Sequence, residues 1–297
     1  MAGLSPDGVL VVDKPTGPTS HDIVAQARRL YGTRSVGHAG TLDPMASGVL
    51  VLMFGEATKL SNYITAQNKS YTAEICFGRS TDSLDALGTT LEERPLPSGW
   101  PPRAELEAAL AAEVARSLQL PPQVSAIKLA GRPAHARVRA GETLELAERP
   151  VQVHDLELLE IGGAHARFAL NVSKGYYVRA FARDLGEHLG VPAHLSALRR
   201  TRSGAWSLVE AAPWPLTAPV ALIPTADAAR ACLPSCRLTA DGAVRSRQGK
   251  PLGEAEFMEL PPEACVGAWF DPELRLIALG QRVEPGVYRV IRGFREG

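Results

Sequence analysis

The feature that most limits what this chain can become is a loop, Gly37 to Gly48, that carries one acid and runs straight into the apolar stretch Val49–Phe54. That stretch has the length and density of a buried strand. Gly37, Gly40 and Gly48 allow turns and close backbone approach, and Pro44 biases Asp43 toward extended backbone. The fold must therefore hang an irregular segment on a core strand and leave the Asp43 carboxylate accessible, an arrangement in which reactive side chains are often mounted. Asp-Pro between glycines is, by itself, an ordinary turn. The wider sequence has to decide between the two readings.

Residues 8–12 read as a second buried strand. Ser20 is placed to cap a helix over about 21–31, with Ile23, Ala27, Leu30 and Tyr31 along one side. Residues 70–77 alternate as a strand, with Tyr71, Ala73, Ile75 and Phe77 on one face. Residues 80–102 are rich in Gly, Pro, Asp and Thr and read as a long loop, and 103–118 as an Ala-rich amphipathic helix. A short strand is expected over 124–129, and neighbouring strands over 151–159 and 165–172 around a Gly162-Gly163 turn. Val178, Phe181, Leu185, His188 and Leu189 recur at helical spacing up to Gly190. Residues 211–235 read as a helix plus linker, and short strands follow at 266–270, 274–279 and 287–291. The pattern is α+β.

A length of 297 residues supports two domains, expected at 1–232 and 233–297. No apolar stretch approaches membrane-spanning length and no secretory leader is visible, so the cytoplasm is the expected compartment. Cys76, Cys232, Cys236 and Cys265 form no paired CxxC motifs, so neither a metal site nor a disulfide framework is expected; Cys232 and Cys236 could share a helix face. Net charge is zero, which speaks against nucleic acid only weakly because the charges are segregated. No acid lies between Pro121 and Gly141, where Lys128, Arg132, Arg137 and Arg139 fall. Arg199, Arg200 and Arg202 form a second basic cluster; Arg237, Arg245, Arg247 and Lys250 form a third. Each could be a solvated surface patch or part of a basic face.

The run Gly37-His38-Ala39-Gly40-Thr41-Leu42-Asp43-Pro44 resembles the active-site motif of bacterial TruB-type tRNA pseudouridine synthases. Three further segments match that family in order: Gly8 to Pro15, Lys69-Ser70-Tyr71, and Ser173-Lys174-Gly175-Tyr176-Tyr177-Val178-Arg179. The resemblance implies the pseudouridine synthase fold, with a central mixed or antiparallel sheet flanked by helices. Gly249-Lys250-Pro251 and Ala278-Leu279-Gly280 resemble, less closely, the PUA module, a small β-barrel found on RNA-modifying enzymes. The implied activity is isomerisation of one uridine in the T-loop of tRNA.

Within that resemblance Asp43 is the catalytic carboxylate. Whether it attacks C1′, attacks uracil C6 or takes a sugar proton is left open by the residues. Arg179 is its partner, since a guanidinium holds a carboxylate bidentately. Tyr71 stacks on the target base, Tyr177 packs beside it, and Leu198 lines the uracil pocket. His38 approaches the RNA and helps displace the nucleotide, which must leave its stack before Asp43 can reach the sugar. Lys14, Lys59, Lys128, Arg132, Arg137, Arg139, Arg199 and Arg200 are candidates for the RNA backbone, with local pairing the alternative for Lys14 and Lys59. Residues 121–141 match an insertion that closes over the RNA arm and is expected to be mobile without it; His135 and Arg137 depart from the family's tyrosine and apolar residue there.

The reaction balances without redox change, so no cofactor or metal is expected. Asp82 and Asp85 read as loop-stabilising carboxylates rather than ligands. The expected partner is tRNA through its T-arm, with no membrane, no required protein partner and a monomeric state. Two other readings stand beside this one: a synthase for another RNA or steered by a guide complex, and a non-catalytic RNA-binding or RNA-folding protein.

Overall fold

The computed structural model describes residues 6–100, 102–123, 128–129, 132–133, 146–262 and 265–295, the four between 128 and 133 by backbone alone. In chain order the elements begin with β1 (Gly8–Lys14), α1 (Ser20–Leu30), β2 (Val36–Ala39), β3 (Ala46–Phe54), α2 (Ser61–Thr65) and β4 (Lys69–Phe77). There follow β5 (Arg79–Thr81), β6 (Thr90–Glu93), α3 (Arg103–Val114), β7 (Leu118–Gln119), β8 (Lys128–Leu129), β9 (Arg132–Pro133) and β10 (Arg149–Pro150). Next are β11 (Val153–Gly162), β12 (His165–Val172), α4 (Val178–His188), β13 (Ala193–Ser203), β14 (Trp206–Ser207), β15 (Ala212–Pro213) and α5 (Thr225–Cys232). The C-terminal part holds β16 (Ser235–Leu238), α6 (Ala240–Arg247), β17 (Phe257–Glu259), β18 (Gly267–Phe270), β19 (Leu276–Glu284) and β20 (Val287–Gly293).

The main sheet has nine strands in the order β11-β12-β4-β13-β3-β1-β15, with β2 on β3 and β14 on β13. It is mixed: β13 runs parallel to β3 and β1 parallel to β15, while the other pairs are antiparallel. The continuous apolar runs of β1 and β3 have a simple cause. Val9, Val11, Val49, Val51 and Met53 face one core, and Leu10, Val12, Leu50, Leu52 and Phe54 face another, under α1. Both faces are covered, so alternation disappears. A third core packs Phe77, Phe168 and Leu195 of the sheet against Phe181 and Leu185 of α4.

The C-terminal strands form one sheet, β17-β16-β18-β19-β20, whose hydrogen bonds do not close into a barrel among the described residues. Ala268, Phe270 and Leu279 of this sheet share a core with Val9, Val51, Leu60 and Ile64 of the N-terminal part. No helix of the described residues is long and apolar enough to cross a membrane.

Several local expectations change. The cap of α1 is Thr19, which forms a capping box with Asp22. Ser20 turns inward instead, accepting from Leu42 N at 2.8 Å and donating to Leu42 O at 3.0 Å. The expected loop 80–102 contains the paired strands β5 and β6. The helix from 103 ends at Val114, and β7 follows where helix was expected. Cys232 closes α5 while Cys236 lies on β16, so they share no helix face. Residues 124–127 of the expected strand, and most of the insertion, lie outside the described residues.

Candidate active site

The acidic loop is tied down at both shoulders. Gly40 (φ +82°) and Gly48 (φ +104°) hold backbone conformations that side chains rarely adopt. A Cβ at Gly48 would lie 2.1 Å from the Arg200 carbonyl oxygen, so no larger residue fits there. Gly17 N donates to Pro44 O at 2.8 Å, and Ala46 N to Asp43 O at 3.0 Å. Arg200 donates through Nη2 to Gly40 O at 3.0 Å and through Nε to Val49 O at 2.7 Å. The Asp43 side chain keeps 35% of its surface exposed.

Facing it, Arg179 stands in the first turn of α4. Its Nε lies 2.9 Å from Asp43 Oδ2 and 3.9 Å from Asp85 Oδ2, and its Nη1 donates to Ser83 O at 3.0 Å. The start of α4 is fixed from outside the helix: Gln119 Oε1 accepts from Tyr177 N at 2.8 Å and its Nε2 donates to Tyr177 O at 3.2 Å. Asp85 completes its own turn, accepting from Ser83 Oγ at 2.7 Å and Leu87 N at 3.0 Å, and Asp82 accepts from Thr89 N at 2.8 Å. Both acids thus close their loop, and no cluster able to hold a metal ion occurs among the described residues.

Asp43 and Arg179 open onto a cleft of about 1280 Å³. Tyr71, Tyr177 and Leu198 line it, with residues of α2 and the segment 173–175 on its other walls. Among its described lining residues Asp43 is the sole acid, against Lys69, Arg149, Lys174, Arg179 and Arg200. Lys69 is buried, donating from Nζ to Thr65 O at 2.6 Å and Gln67 O at 2.5 Å. Burial, with Arg200 and Lys174 nearby, pulls its ammonium down to about 8. The cleft is built to receive negative charge beside one carboxylate.

Sequence reading thus finds Asp43, Tyr71, Tyr177, Arg179 and Leu198 on one cleft. His38 is not on its lining; it stands on β2 with its ring edge-on to His21, centroids 5.3 Å apart. Burial, then His21 and Arg200, lower its imidazole to about 4, so it is neutral at pH 7.

Two backbone candidates are corrected. Lys14 is fully buried and donates to Pro15 O at 2.9 Å and Pro18 O at 2.8 Å, so its ammonium faces the protein. Arg200 is 1% exposed and spends its donors on carbonyls, so it has no phosphate-facing surface. Arg199 grips Asp13 at 3.1 and 2.7 Å. Lys59 pairs with Glu56, donates to Gly293 O at 2.8 Å and lies over the Phe294 ring. The side chains of Lys128, Arg132, Arg137 and Arg139 lie outside the described residues. Lys69 and Gln119 were missed. Lys69 sits inside the Lys-Ser-Tyr motif and was legible there; nothing in the sequence marks Gln119.

The family model of TruB family pseudouridylate synthase (N terminal domain) matches residues 28–178. A tRNA pseudouridine synthase B from Thermobifida fusca (strain YX) is 43% identical over 284 residues, covering 93% of this chain and 94% of that protein. One from Arthrobacter sp. (strain FB24) is 42% identical over 282 residues, 92% of each. Among solved structures, a chain of a Cbf5-Nop10-Gar1 complex superposes with a TM-score of 0.72 at 25% identity, covering 98% of this chain and 84% of that one. A chain of an H/ACA RNP bound to a substrate RNA containing 2′-deoxyuridine shares the fold, with a TM-score of 0.69 at 23% identity over 97% of this chain and 85% of that one. Sequence and architecture agree, and this chain belongs to the TruB family of pseudouridylate synthases.

Proposed function

We propose that this enzyme isomerises one uridine in the T-loop of tRNA, with Asp43 as the catalytic group. The observation that carries the reading is the Asp43–Arg179 pair, 2.9 Å apart, in a cleft whose other charges among the described residues are all positive. The bond from C1′ to N1 breaks and one from C1′ to C5 forms; C5 loses its proton and N1 gains one. The nucleotide leaves its stack, at a cost of about a few kcal/mol, and enters the cleft. Asp43, its orientation set by Arg179, works at the sugar. Tyr71 stacks on the base while Tyr177 and Leu198 confine it. His38, neutral and beside the loop, buttresses the space the base vacates.

We read 1–232 as the catalytic unit and 233–297 as a PUA-like RNA-binding unit. The enzyme works as a monomer on the T-arm, recognised by shape and phosphates, in the cytoplasm, where tRNA is used. The names of the relatives support tRNA as substrate. Asp43→Asn tests the assignment. Affinity for tRNA stays within about threefold while turnover falls by about a thousandfold or more. Turnover within a few-fold of the parent refutes the role of Asp43. Product from a tRNA whose T-loop uridine has been replaced refutes the site.

A further inference from the structure

Arg200 is the most deeply buried cation on the cleft lining. Its strand, β13, runs between β4 and β3, and the register sets Arg200 opposite Tyr71 on one side and Gly48 on the other. Cross-strand partners project from the same face, so the guanidinium and the Tyr71 ring emerge together into the cleft. Its Nη2 and Nε donate to Gly40 O and Val49 O, and its charge acts on the Tyr71 hydroxyl, its neighbour across the strands. Gly40 and Val49 bracket Asp43. One planar group therefore ties both ends of the acid's loop together beside the phenol that shares its cleft.

The ion pairs found among the described residues include none to Arg200, and its hydrogen-bond acceptors are neutral backbone carbonyls. A buried charge without a counter-ion is costly. Burial pulls this guanidinium below its ordinary value and the Tyr71 hydroxyl opposes that. A lysine would keep the charge but lose the fork that reaches two carbonyls in different directions.

We propose that Arg200 is a positioning residue for the isomerisation, holding the Tyr71 hydroxyl and the Asp43 loop in one geometry. The inference rests on the reading of Asp43 and Tyr71 as the working groups. The chemistry makes two demands on that geometry. When C1′–N1 breaks, the bonding pair leaves with the uracil; the ring must then turn to present C5 to C1′ before the C5 proton departs. A carboxylate at the sugar and a phenol at the base have to keep their separation throughout.

The test is a mutant cycle on the full chain with tRNA. Arg200→Lys is expected to bind tRNA within about threefold of the parent and to lose at least about tenfold in single-turnover rate at saturating tRNA. In a Tyr71→Phe background the same change costs less than about threefold more, because the link is already cut. A parental rate for Arg200→Lys, or losses that multiply in the double variant, overturns the proposal. Should Arg200→Lys fail to fold, the melting point of Tyr71→Phe decides. Removing the hydroxyl takes a polar neighbour from a buried guanidinium, which lowers Tm by about 2–4 °C; an unchanged Tm overturns the proposal. Asp43→Asn runs alongside. Parental turnover there refutes the Asp43 reading alone, while the Arg200–Tyr71 cycle still decides this one.

Discussion

The two sheets of this molecule bury different things. Around the cleft of the nine-stranded sheet the interior holds Lys14, Lys69, Asp85, Arg179 and Arg200. The five-stranded C-terminal sheet closes over Leu238, Phe257, Trp269, Ile277 and Tyr288. Its one buried charge among the described residues, Asp271, is matched by Arg275 Nε at 2.7 Å and Arg247 Nη2 at 3.2 Å. Buried charge lowers stability unless it is paired. It gathers around the cleft, whose described charges are mostly positive, while the C-terminal sheet is held by apolar packing.

Two glycines give the sharpest way to break this comparison. A Cβ at Gly48 would meet the Arg200 carbonyl at 2.1 Å, and one at Gly280 would meet the Trp269 ring at the same distance. The first obstacle is backbone at positive φ; the second is a side chain in an ordinary conformation. Gly48→Ala should destabilise by about 3 kcal/mol or more and lower turnover per folded molecule, because the spacing of β3 and β13 carries the site. Gly280→Ala should cost about 1–3 kcal/mol as overpacking and leave turnover per folded molecule intact. Denaturation curves with active-site titration check both, and a reversed order breaks the contrast.

The next effect is in pH. Burial holds both Lys14 and Lys69 at about 8. Their folded values are depressed, so between about 8 and their ordinary value the unfolded chain binds more protons and stability rises with pH. The cleft loses positive charge over the same step, so tRNA affinity should fall by roughly several-fold between pH 7 and 9. Stability and affinity thus move in opposite directions, and Lys69→Met should weaken both trends. At Asp271 burial pushes the carboxyl up, but hydrogen bonds from Arg275 and the charges of Arg275 and Arg247 leave it below its ordinary value. That contribution is complete above the ordinary carboxylate value and is lost as pH falls through the depressed one. Through these lysines the nine-stranded sheet should respond on the alkaline side, and through Asp271 the C-terminal sheet should respond on the acid side. Melting curves from pH 3 to 10 with Lys69→Met and Asp271→Asn check the assignment.

The smallest effect concerns His38. With its imidazole held near 4, the unfolded chain binds the extra proton between there and the usual histidine value. Stability from this group therefore declines as pH drops across that range. The rate should show no step near pH 6.5 that disappears in His38→Gln. Finding such a step would make His38 a proton carrier.

The strands and helices legible in the sequence were those with a continuous apolar run or a regular apolar period: β1, β3, β4, β11, β12, β18, β19, β20, α1, α3 and α4. Strand β13 escaped notice although it sits between β3 and β4. Its second half reads Leu-Arg-Arg-Thr-Arg-Ser, a solvated surface by any hydropathy rule. Arg200 is nevertheless buried there, satisfied by carbonyls of the Gly40 loop and of Val49 on β3, both distant in sequence. Strand β15 is two residues long and parallel to β1, so only tertiary contact creates it. At the site, residue motifs pointed to Asp43, Tyr71 and Arg179, because side chains that meet a substrate are held in fixed local phrases. Gln119 leaves no phrase to read, and Arg200, in a basic run, reads as a phosphate contact because nothing in that run marks the backbone carbonyls that surround it.

Phe270 and Leu279 share apolar packing with Val9, Val51 and Leu60. Cutting the chain after residue 232 would therefore strip the back of the catalytic strands and leave a sticky fragment rather than a smaller enzyme. Uncut, the shared core holds the C-terminal sheet at a set reach from Asp43, like the fixed jaw of a caliper.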